Sequence, residues 1–313
     1  MYFGENVEFG SVLFGAETPN QGLCVIDGSD QKILCFDRAG KLRFSVGRRG
    51  EGPGESTGLY RLAVSPTGRV FGLDFARQMV NVYDPGGKFE RSLRLPIPFS
   101  QVLSFLAPTD SLLVLTATAF DAGRASDFGV HTFRVSDSLV YLTSFGPLPE
   151  TNDRRVLSMF GSGIATLTPR GTLLYSRRYP YDLFEFSLDG TQVLTVQGPV
   201  HLTTSLDELI EVNRSATKTT FSYVGAEKPE RVGSAYDGGN GRWYVMRTDK
   251  DGHKLFDVFD ARTGRWLPSI PSPIRDPDLS LLGMDFKNGF YLGSTLCDDA
   301  PCVLRDPLKI RGP

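Results

Sequence analysis

The sequence predicts an all-β fold: a six-bladed β-propeller of four-stranded antiparallel blades, with one short helix inserted between blades four and five. Three observations predict it. The chain of 313 residues contains 34 Gly and 20 Pro together with 22 Phe and 11 Tyr, a mixture typical of many short strands joined by tight turns. One type of turn recurs along the whole chain, and a second type recurs between the copies of the first. One propeller commonly has this length, so we expect residues 1–313 to form a single domain.

The first series of turns predicts the number of blades. In each copy a Pro or Gly lies between two apolar runs, which is the pattern of a tight hairpin. The segment Val64–Arg69 recurs as Leu167–Thr172, and more loosely as Glu17–Gly22 and Ala107–Ser111. Two degenerate copies follow, Tyr236–Gly241 and Phe286–Gly289. Because each copy marks the first hairpin of one unit, the chain contains six units.

A second series of turns supports this division. An aromatic strand end is followed by a polar turn with Gly in Phe36–Gly40, Tyr83–Gly87, Phe186–Gly190 and Phe259–Gly264. Between the two turns the strands alternate in polarity, so that each unit holds four short strands, as a propeller blade does. The alternatives are a β-sandwich or a pair of small barrels, but neither has a reason to repeat its turn chemistry.

Two features interrupt the repeat. Ring closure requires a last strand for the sixth blade, and either Tyr2 to Phe9 or Leu308 to Arg311 could supply it. The segment Ser205–Glu208 has the sequence of a helix capping box and is followed by apolar residues at helical spacing. We therefore predict a short amphipathic helix near Leu206 to Ala216 that fills a gap between blades four and five; the alternative is a helix that contacts a partner.

Composition excludes two classes of partner. With 34 Lys and Arg against 36 Asp and Glu, the net charge of −2 provides no cationic field for nucleic acid. No apolar run approaches the roughly 18 residues of a membrane span, and Met1 to Gly15 lacks the charged start and apolar centre of a signal peptide. We expect a soluble, mature or trimmed chain without a membrane span of its own.

One linker is specific enough to suggest a family. The segment Val46–Glu55 reads VGRRGEGPGE. It resembles the Gly-Arg-x-Gly-x-Gly-Pro-Gly-Glu linker of bacterial six-bladed propellers of the NHL/TolB-like kind. The resemblance implies fold more than function: many such proteins are exported, and some propellers are extrinsic subunits clamped to membrane assemblies. The long third unit and the weak last two turns depart from the family pattern.

Blade topology predicts which face is functional. Turns between the first and second and between the third and fourth strands share one rim, where the short Pro/Gly turns lie. The irregular loops share the other rim, and irregular loops tend to carry function. Arginine and tyrosine, both enriched at interface hot spots, are frequent in these loops, whereas the alternative is that the arginines are solvated or paired with nearby Asp. The predicted partner-binding residues are Arg48, Arg49, Arg77, Arg124, Arg154, Arg155, Arg177, Arg178, Tyr179 and Tyr181.

The sequence shows no catalytic constellation. Its three histidines lie in three different units, which argues against a zinc site, and Asp249–Gly252 resembles the start of a calcium loop but lacks the remaining ligands, so a plain turn is expected. Among the inner strands, only Asp237 and Asp285 could place carboxylates near the axis. We predict no cofactor, no metal and no catalytic residue. The alternative is a metal-dependent hydrolase or lyase that uses Asp237 and Asp285 in the central channel.

Taken together, these features favour a non-enzymatic scaffold that binds a protein through its arginine-rich rim. An extrinsic subunit that stabilises a membrane-embedded complex, such as a respiratory or photosynthetic assembly, fits this description.

The cysteines predict the compartment. Cys24 and Cys35 lie equally far from the centre of one predicted turn, and Cys297 and Cys302 flank another in the same way. Directly opposed residues of a hairpin are close enough for a disulfide. Two bridges predict an extracytoplasmic, periplasmic location, whereas the alternative is four buried thiols in a cytosolic protein.

Overall fold

The computed structural model describes residues 1–4, 7–119, 127–151, 153–199, 206–214, 219–223, 231–274, 279–285, 288–297 and 300–309. Six four-stranded antiparallel sheets form a ring, which confirms the predicted fold. The first strands of successive blades contact one another around the axis, from blade 6 to blade 1 and on to blade 5. No helix among the described residues is long and apolar enough to cross a membrane.

The first three blades follow one another with short connections. Blade 1 contains β2 (Val12–Glu17), β3 (Leu23–Asp27), β4 (Lys32–Phe36) and β5 (Leu42–Val46). Blade 2 contains β6 (Leu59–Val64), β7 (Val70–Asp74), β8 (Met79–Tyr83) and β9 (Phe89–Arg94). Blade 3 has the longest strands, β10 (Phe99–Thr109), β11 (Leu112–Ala119), β12 (Phe128–Val135) and β13 (Leu139–Pro147).

Helical turns and an extra hairpin flank blade 4. After α1 (Arg154–Val156) and a π-helical turn (Leu157–Gly161), blade 4 contains β14 (Ile164–Leu167), β15 (Leu173–Arg177), β16 (Asp182–Phe186) and β17 (Gln192–Gln197). Next come α2 (Leu206–Leu209) and a hairpin of β18 (Ile210–Arg214) and β19 (Thr219–Tyr223). Blade 5 contains β20 (Arg231–Asp237), β21 (Arg242–Thr248), β22 (Lys254–Asp260) and β23 (Trp266–Pro271).

The amino terminus closes the ring. Blade 6 contains β24 (Ser280–Asp285), β25 (Phe290–Cys297) and β26 (Ala300–Pro307), and its outermost strand is β1 (Tyr2–Phe3). Tyr2 pairs with Leu304 and Phe3 with Val303. Of the two closures that the sequence left open, the structure therefore has the amino-terminal one. Because the last blade contains both ends of the chain, separating them would open the ring.

The inserted helix is shorter than predicted. It occurs between blades 4 and 5, as expected, but α2 is a single turn, Leu206–Leu209, and the chain then enters β18. Ile210 and Val212 alternate with polar residues, and this period of two, with β-branched side chains, favours a strand over a helix. The prediction of a helix is therefore wrong for Ile210–Arg214, and the last two residues of the predicted helix, 215 and 216, lie outside the described residues.

The core is divided among the interfaces between blades. Cys24 and Ile26 pack in a cluster with Leu62 and Val70 of blade 2. Val25, the residue between them, packs in a different cluster with residues of blade 6. Successive residues of a strand point to opposite faces of the sheet, so each blade uses both faces to bury apolar side chains against its two neighbours.

The second series of turns has a packing role. Gly40, Gly87, Gly190 and Gly264 all have positive φ and lie at the third turn of their blades. In each case an added Cβ would lie 2.5 to 2.6 Å from an atom of the outermost strand of the preceding blade. These atoms belong to Tyr2, Phe44, Phe145 and Val196. The glycines thus serve both the turn and the close approach of neighbouring blades.

Candidate functional site: the arginine rim and the central cavity

The observed topology separates two rims. On one, which we call the proline rim, lie the turns after the first and third strands of each blade, such as 18–22 and 37–41. On the other, which we call the arginine rim, lie the turns after the second strands and the connections between blades, including 47–58, 75–78, 148–163 and 178–181. Of the predicted partner-binding residues that the structure describes, Arg177 ends β15 beside 178–181, and the others lie in segments of the arginine rim.

The Gly-rich linker is packed against blade 2. Tyr83 donates a hydrogen bond to the Gly54 carbonyl at 2.8 Å, and the Asn81 side-chain amide donates to Glu55 O at 3.2 Å. The Glu55 carboxylate accepts hydrogen bonds from the Gly52 N–H at 2.8 Å and from Arg48 Nε at 2.6 Å. These two contacts, that with Gly52 first, lower the pKa of Glu55 below its ordinary value. The glycines serve a tight crossing, as the sequence predicts.

Arg48 and Arg49 are presented by this linker. The Arg48 side chain is 80% exposed even though it pairs with Glu55. Arg49 is exposed and donates to the Ser29 carbonyl at 3.0 Å, which ties the linker to the neighbouring turn of blade 1. Arg77, in the equivalent turn of blade 2, is half-buried and donates to Glu55 O at 3.3 Å. Backbone carbonyls therefore hold Arg49 and Arg77 in place at the rim, whereas Arg48 pairs with the Glu55 carboxylate.

A second group of arginines lies at blade 4. The Arg155 side chain is 54% exposed, with its Nε 3.7 Å from Asp153 Oδ1. Arg177 pairs with Asp182 and lies over the Phe184 ring, 5.5 Å from its centroid. Arg178 is half-buried. Arg124 and the side chain of Arg154 lie outside the described residues.

The two predicted tyrosines are not exposed. Tyr181 is fully buried between blades 4 and 5, near Trp243 and Phe259, and Tyr179 packs with Val156, Leu206 and Ile210. The prediction that Tyr179 and Tyr181 lie on an exposed contact surface is therefore wrong. Their buried rings instead anchor the 178–181 turn and the inserted segments. Sequence reasoning missed this because the burial of an aromatic residue in a loop cannot be predicted until the packing of the loop is known.

Exposed apolar side chains accompany the arginines. Leu13, Phe128 and Met159 are exposed at the ends or in the connections of blades on this rim, and Leu296 is 66% exposed at the end of β25. Single exposed apolar residues are ordinary on a protein surface. Here they share one rim with Arg48, Arg49 and Arg155, the combination of aliphatic and guanidinium surface that interface cores favour.

Both predicted disulfides are present. Cys24 and Cys35 pair directly across β3 and β4 and are buried, with a Cα–Cα distance of 4.0 Å. Cys297 and Cys302 are bridged with a Cα–Cα distance of 5.7 Å. The second pair is diagonal rather than directly opposed, because Cys297 pairs with Ala300 and Cys302 with Thr295. The prediction that Cys297 and Cys302 are placed symmetrically about the turn is therefore wrong, although the bridge between them is present.

The two axial aspartates are engaged by their own surroundings. Asp237 lies 3.5 Å from the Arg170 guanidinium and accepts from the Gly239 N–H at 2.8 Å. Asp285 accepts from the backbone N–H and the side-chain amide of Asn288, at 2.8 and 2.6 Å. Among the described residues, the one group of three with ligand atoms within 4.8 Å of one another is Asp249, Asp251 and His253. Asp249 Oδ1 accepts there from the N–H groups of Asp251 and His253, which is the geometry of a turn.

Sequence reasoning missed Glu17 on the propeller axis. Glu17 ends β2, the inner strand of blade 1, and lines a central cavity of about 340 Å³. Burial and, to a smaller extent, the nearby Asp285 raise the pKa of Glu17 to about 7, against a lesser opposite effect of Arg305. The available signal was its position as the first residue of the repeated turn Glu17–Gly22, at the end of an inner strand.

The comparisons with known proteins agree with this architecture. A family model described as a 6-bladed beta-propeller, DUF5128, matches residues 16–134. That segment covers most of blade 1, all of blade 2 and most of blade 3. No curated protein matches the sequence.

Several solved structures have a similar fold. A member of the duf4221 family from Bacteroides vulgatus aligns with a TM-score of 0.62 at 10% identity over 97% of this chain and 94% of its own. A protein described as exported, from Bacteroides fragilis, aligns with a TM-score of 0.60 at 12% identity over 99% and 94%. A virginiamycin B lyase from Staphylococcus aureus aligns with a TM-score of 0.53 at 10% identity over 97% and 96%. At these identities the likeness establishes the fold alone.

Proposed function

We propose that this protein is a non-enzymatic binding scaffold whose arginine rim docks on a protein partner, as an extrinsic subunit of a larger membrane-embedded complex. The observation that carries the proposal is that exposed Arg48, Arg49 and Arg155 lie on the same rim as exposed Leu13, Met159 and Leu296. Arginine combines contact area with directed hydrogen bonds, and apolar neighbours exclude water from those bonds.

The architecture supports a scaffold role. The rim is built on six blades whose cores lie between neighbouring sheets, so the loops are presented by a rigid frame. Arg49 and Arg77 are fixed by backbone carbonyls, which lowers the entropy lost when they contact a partner. We include the whole chain, residues 1–313, in this one domain and assign it to the NHL/TolB-like kind of propeller on the sequence of its linker.

We place the protein outside the cytoplasm, in the periplasm. The two disulfides, Cys24–Cys35 and Cys297–Cys302, support this location because thiols persist in the reduced form in the cytosol. Membrane association then occurs through the partner.

The test is site-specific photo-cross-linking in cells of the source organism. A photoreactive residue at position 49, on the arginine rim, should give a discrete adduct with a membrane protein, whereas one at Lys88, on the proline rim, should not. An adduct from position 88 alone would overturn the assignment of the face.

Charge-reversal variants test docking through the arginine rim quantitatively. The triple variant Arg48→Glu/Arg49→Glu/Arg155→Glu should lose membrane association. The matched control, Arg38→Glu/Arg262→Glu/Arg265→Glu, changes the same charge at exposed positions of the third turns of blades 1 and 5 and should retain it. Replacing one true hot-spot arginine by alanine should cost about 2 kcal/mol of binding, roughly 30-fold in Kd. Equal loss in both triple variants would contradict docking through the arginine rim.

A further inference from the structure

The propeller axis contains a cavity that the scaffold role does not use. Its volume of about 340 Å³ lies at the lower end of the range for small-molecule sites. The inner strands of all six blades contribute to its lining. The lining is mainly apolar and includes Phe14, Leu62, Leu103, Leu106, Leu282 and Met284. Such a surface can bind the apolar body of a ligand.

The neutral polar groups of the lining are occupied by the protein itself. Ser104 Oγ accepts a hydrogen bond from Ala165 N at 2.9 Å, and the Thr166 hydroxyl donates to the Ala235 carbonyl. Tyr236 is engaged with Ser234. These groups therefore have little capacity left for a ligand.

Glu17 differs from them. It is the one carboxyl group among the described residues that line the cavity, and within the described part of the chain it makes no hydrogen bond and no ion pair. A half-buried carboxylate without a partner is unfavourable, because burial removes water that would otherwise solvate it.

The charged neighbours of Glu17 are committed elsewhere. Asp285 is held by Asn288. The Arg305 guanidinium donates to the carbonyls of Gln21 and Arg38 and lies over the Phe290 ring, 4.3 Å from its centroid. Glu17 therefore lies near a second carboxylate whose repulsion a bound cation would relieve. Both Nη atoms of the nearby Arg305 guanidinium donate to backbone oxygens, and its buried Nε has no hydrogen-bond partner among the described residues.

We propose that the central cavity binds a small organic cation, an amine with an aromatic or branched aliphatic body, whose ammonium group pairs with Glu17. The apolar body replaces water against the inner strands, and the ammonium group supplies the partner that Glu17 lacks. A neutral ligand of the same shape would leave the carboxylate unpaired. This inference is independent of docking through the arginine rim, since the cavity is lined by inner strands.

Calorimetric titration with 2-phenylethylamine and tryptamine tests the proposal, with 2-phenylethanol as the neutral isostere. At pH 8 we expect each amine to bind at least about tenfold more tightly than the alcohol, since an ion pair in a partly desolvated site contributes at least about 1.4 kcal/mol. Both amines stay protonated between pH 6 and pH 8, whereas Glu17 titrates with a pKa of about 7. Amine affinity should therefore fall about tenfold from pH 8 to pH 6.

Three variants make the result specific. Glu17→Gln should remove both the preference for the amine and the pH dependence, and Glu51→Gln, at an exposed position of the linker, should change neither. Leu103→Trp, which fills the cavity from a half-buried lining position, should block all three ligands. Circular dichroism verifies that each variant folds; if Glu17→Gln does not, the pH dependence of the parent protein decides.

Two results would overturn the proposal. One is the absence of amine binding at millimolar concentration. The other is amine binding that does not depend on the proposed site. An amine affinity equal to that of the alcohol would mean that the ammonium group does not pair with the carboxylate, and binding that persists in Leu103→Trp would mean that the ligand lies outside the cavity.

Discussion

Gly87 of blade 2 lies directly against the Phe44 ring of blade 1. A Cβ added at Gly87 would lie 2.6 Å from Phe44 Cδ2, and the glycine has a φ of +88°. The same relationship recurs where Gly190 faces Phe145 and Gly264 faces Val196. A turn motif that is visible in the sequence therefore sets how closely successive blades approach.

Gly87→Ala should destabilise the protein more than the loss of backbone freedom explains. The left-handed conformation alone costs alanine about 1 to 2 kcal/mol, and overpacking against Phe44 adds roughly 1 to 3 kcal/mol. Gly171→Ala is the matched control, because Gly171 has a φ of +79° and no heavy atom within 4 Å of the added Cβ. Urea unfolding measures both free energies of unfolding. Phe44→Ala should restore part of the loss in Gly87→Ala, and equal losses in the two alanine variants would refute the packing role.

Acid should destabilise the protein through His131. Burial lowers the pKa of His131 to about 4, against an ordinary value of 6.5. The neutral ring lies between Phe99 and Tyr141, with Nε2 at 3.2 Å from the Ala117 carbonyl. Since the unfolded chain binds a proton below pH 6.5 and the folded chain does not, stability falls from pH 6.5 towards pH 4, by up to about 3 kcal/mol.

Urea unfolding between pH 7.5 and pH 4.5 measures this effect. His131→Gln keeps a hydrogen-bond donor but cannot titrate, so its free energy of unfolding should vary less with pH. His253→Gln changes a side chain that is 72% exposed and serves as the control. An unchanged pH slope in His131→Gln would show that other groups cause the acid sensitivity.

The effect of Glu17 on the pH dependence of stability should have the opposite sign to that of His131. Its pKa is raised from 4.5 to about 7. Between these values the folded protein retains a proton that the unfolded chain has lost, so the stability contribution is fully present below pH 4.5 and is lost as the pH rises through 7. The free energy of unfolding of Glu17→Gln, relative to that of the parent protein, should therefore increase from pH 5 to pH 8 and stay constant above pH 8. If this difference is constant across the range, Glu17 does not titrate as described.

The two disulfides should differ in their response to reductant. Cys24 and Cys35 are each 1% exposed, whereas Cys297 and Cys302 are half-buried. Graded reduction of the native protein, followed by alkylation and intact-mass measurement, should show two modified cysteines before four, with Cys297 and Cys302 modified first. The chain-entropy model gives about 2 to 3 kcal/mol for bridges that close loops this short. Simultaneous modification of all four cysteines would mean that reduction follows global unfolding.

Sequence reasoning performed well where the signal was local. The turns Val64–Arg69 and Leu167–Thr172 predicted hairpins, and their repetition predicted the six blades, because turn chemistry depends on neighbouring residues. It performed less well at the rim. It assigned Arg48, Arg77 and Arg155 to loops that do lie on one rim. It took Tyr179 and Tyr181 as exposed, since burial of a loop residue depends on the distant segments that cover it, here Leu206 and Phe259.

The sequence by itself determined the blade number, the Cys24–Cys35 pairing and the tight crossing of the Gly-rich linker, all of which are fixed by residues close together along the chain. Only the tertiary structure decided that Tyr2–Phe3 closes the ring and that Glu17 meets Asp285 and Arg305 beside the central cavity. A circular fold brings the two ends of the chain into one seam, and neither the spacing nor the periodicity of a sequence encodes which side chains meet there.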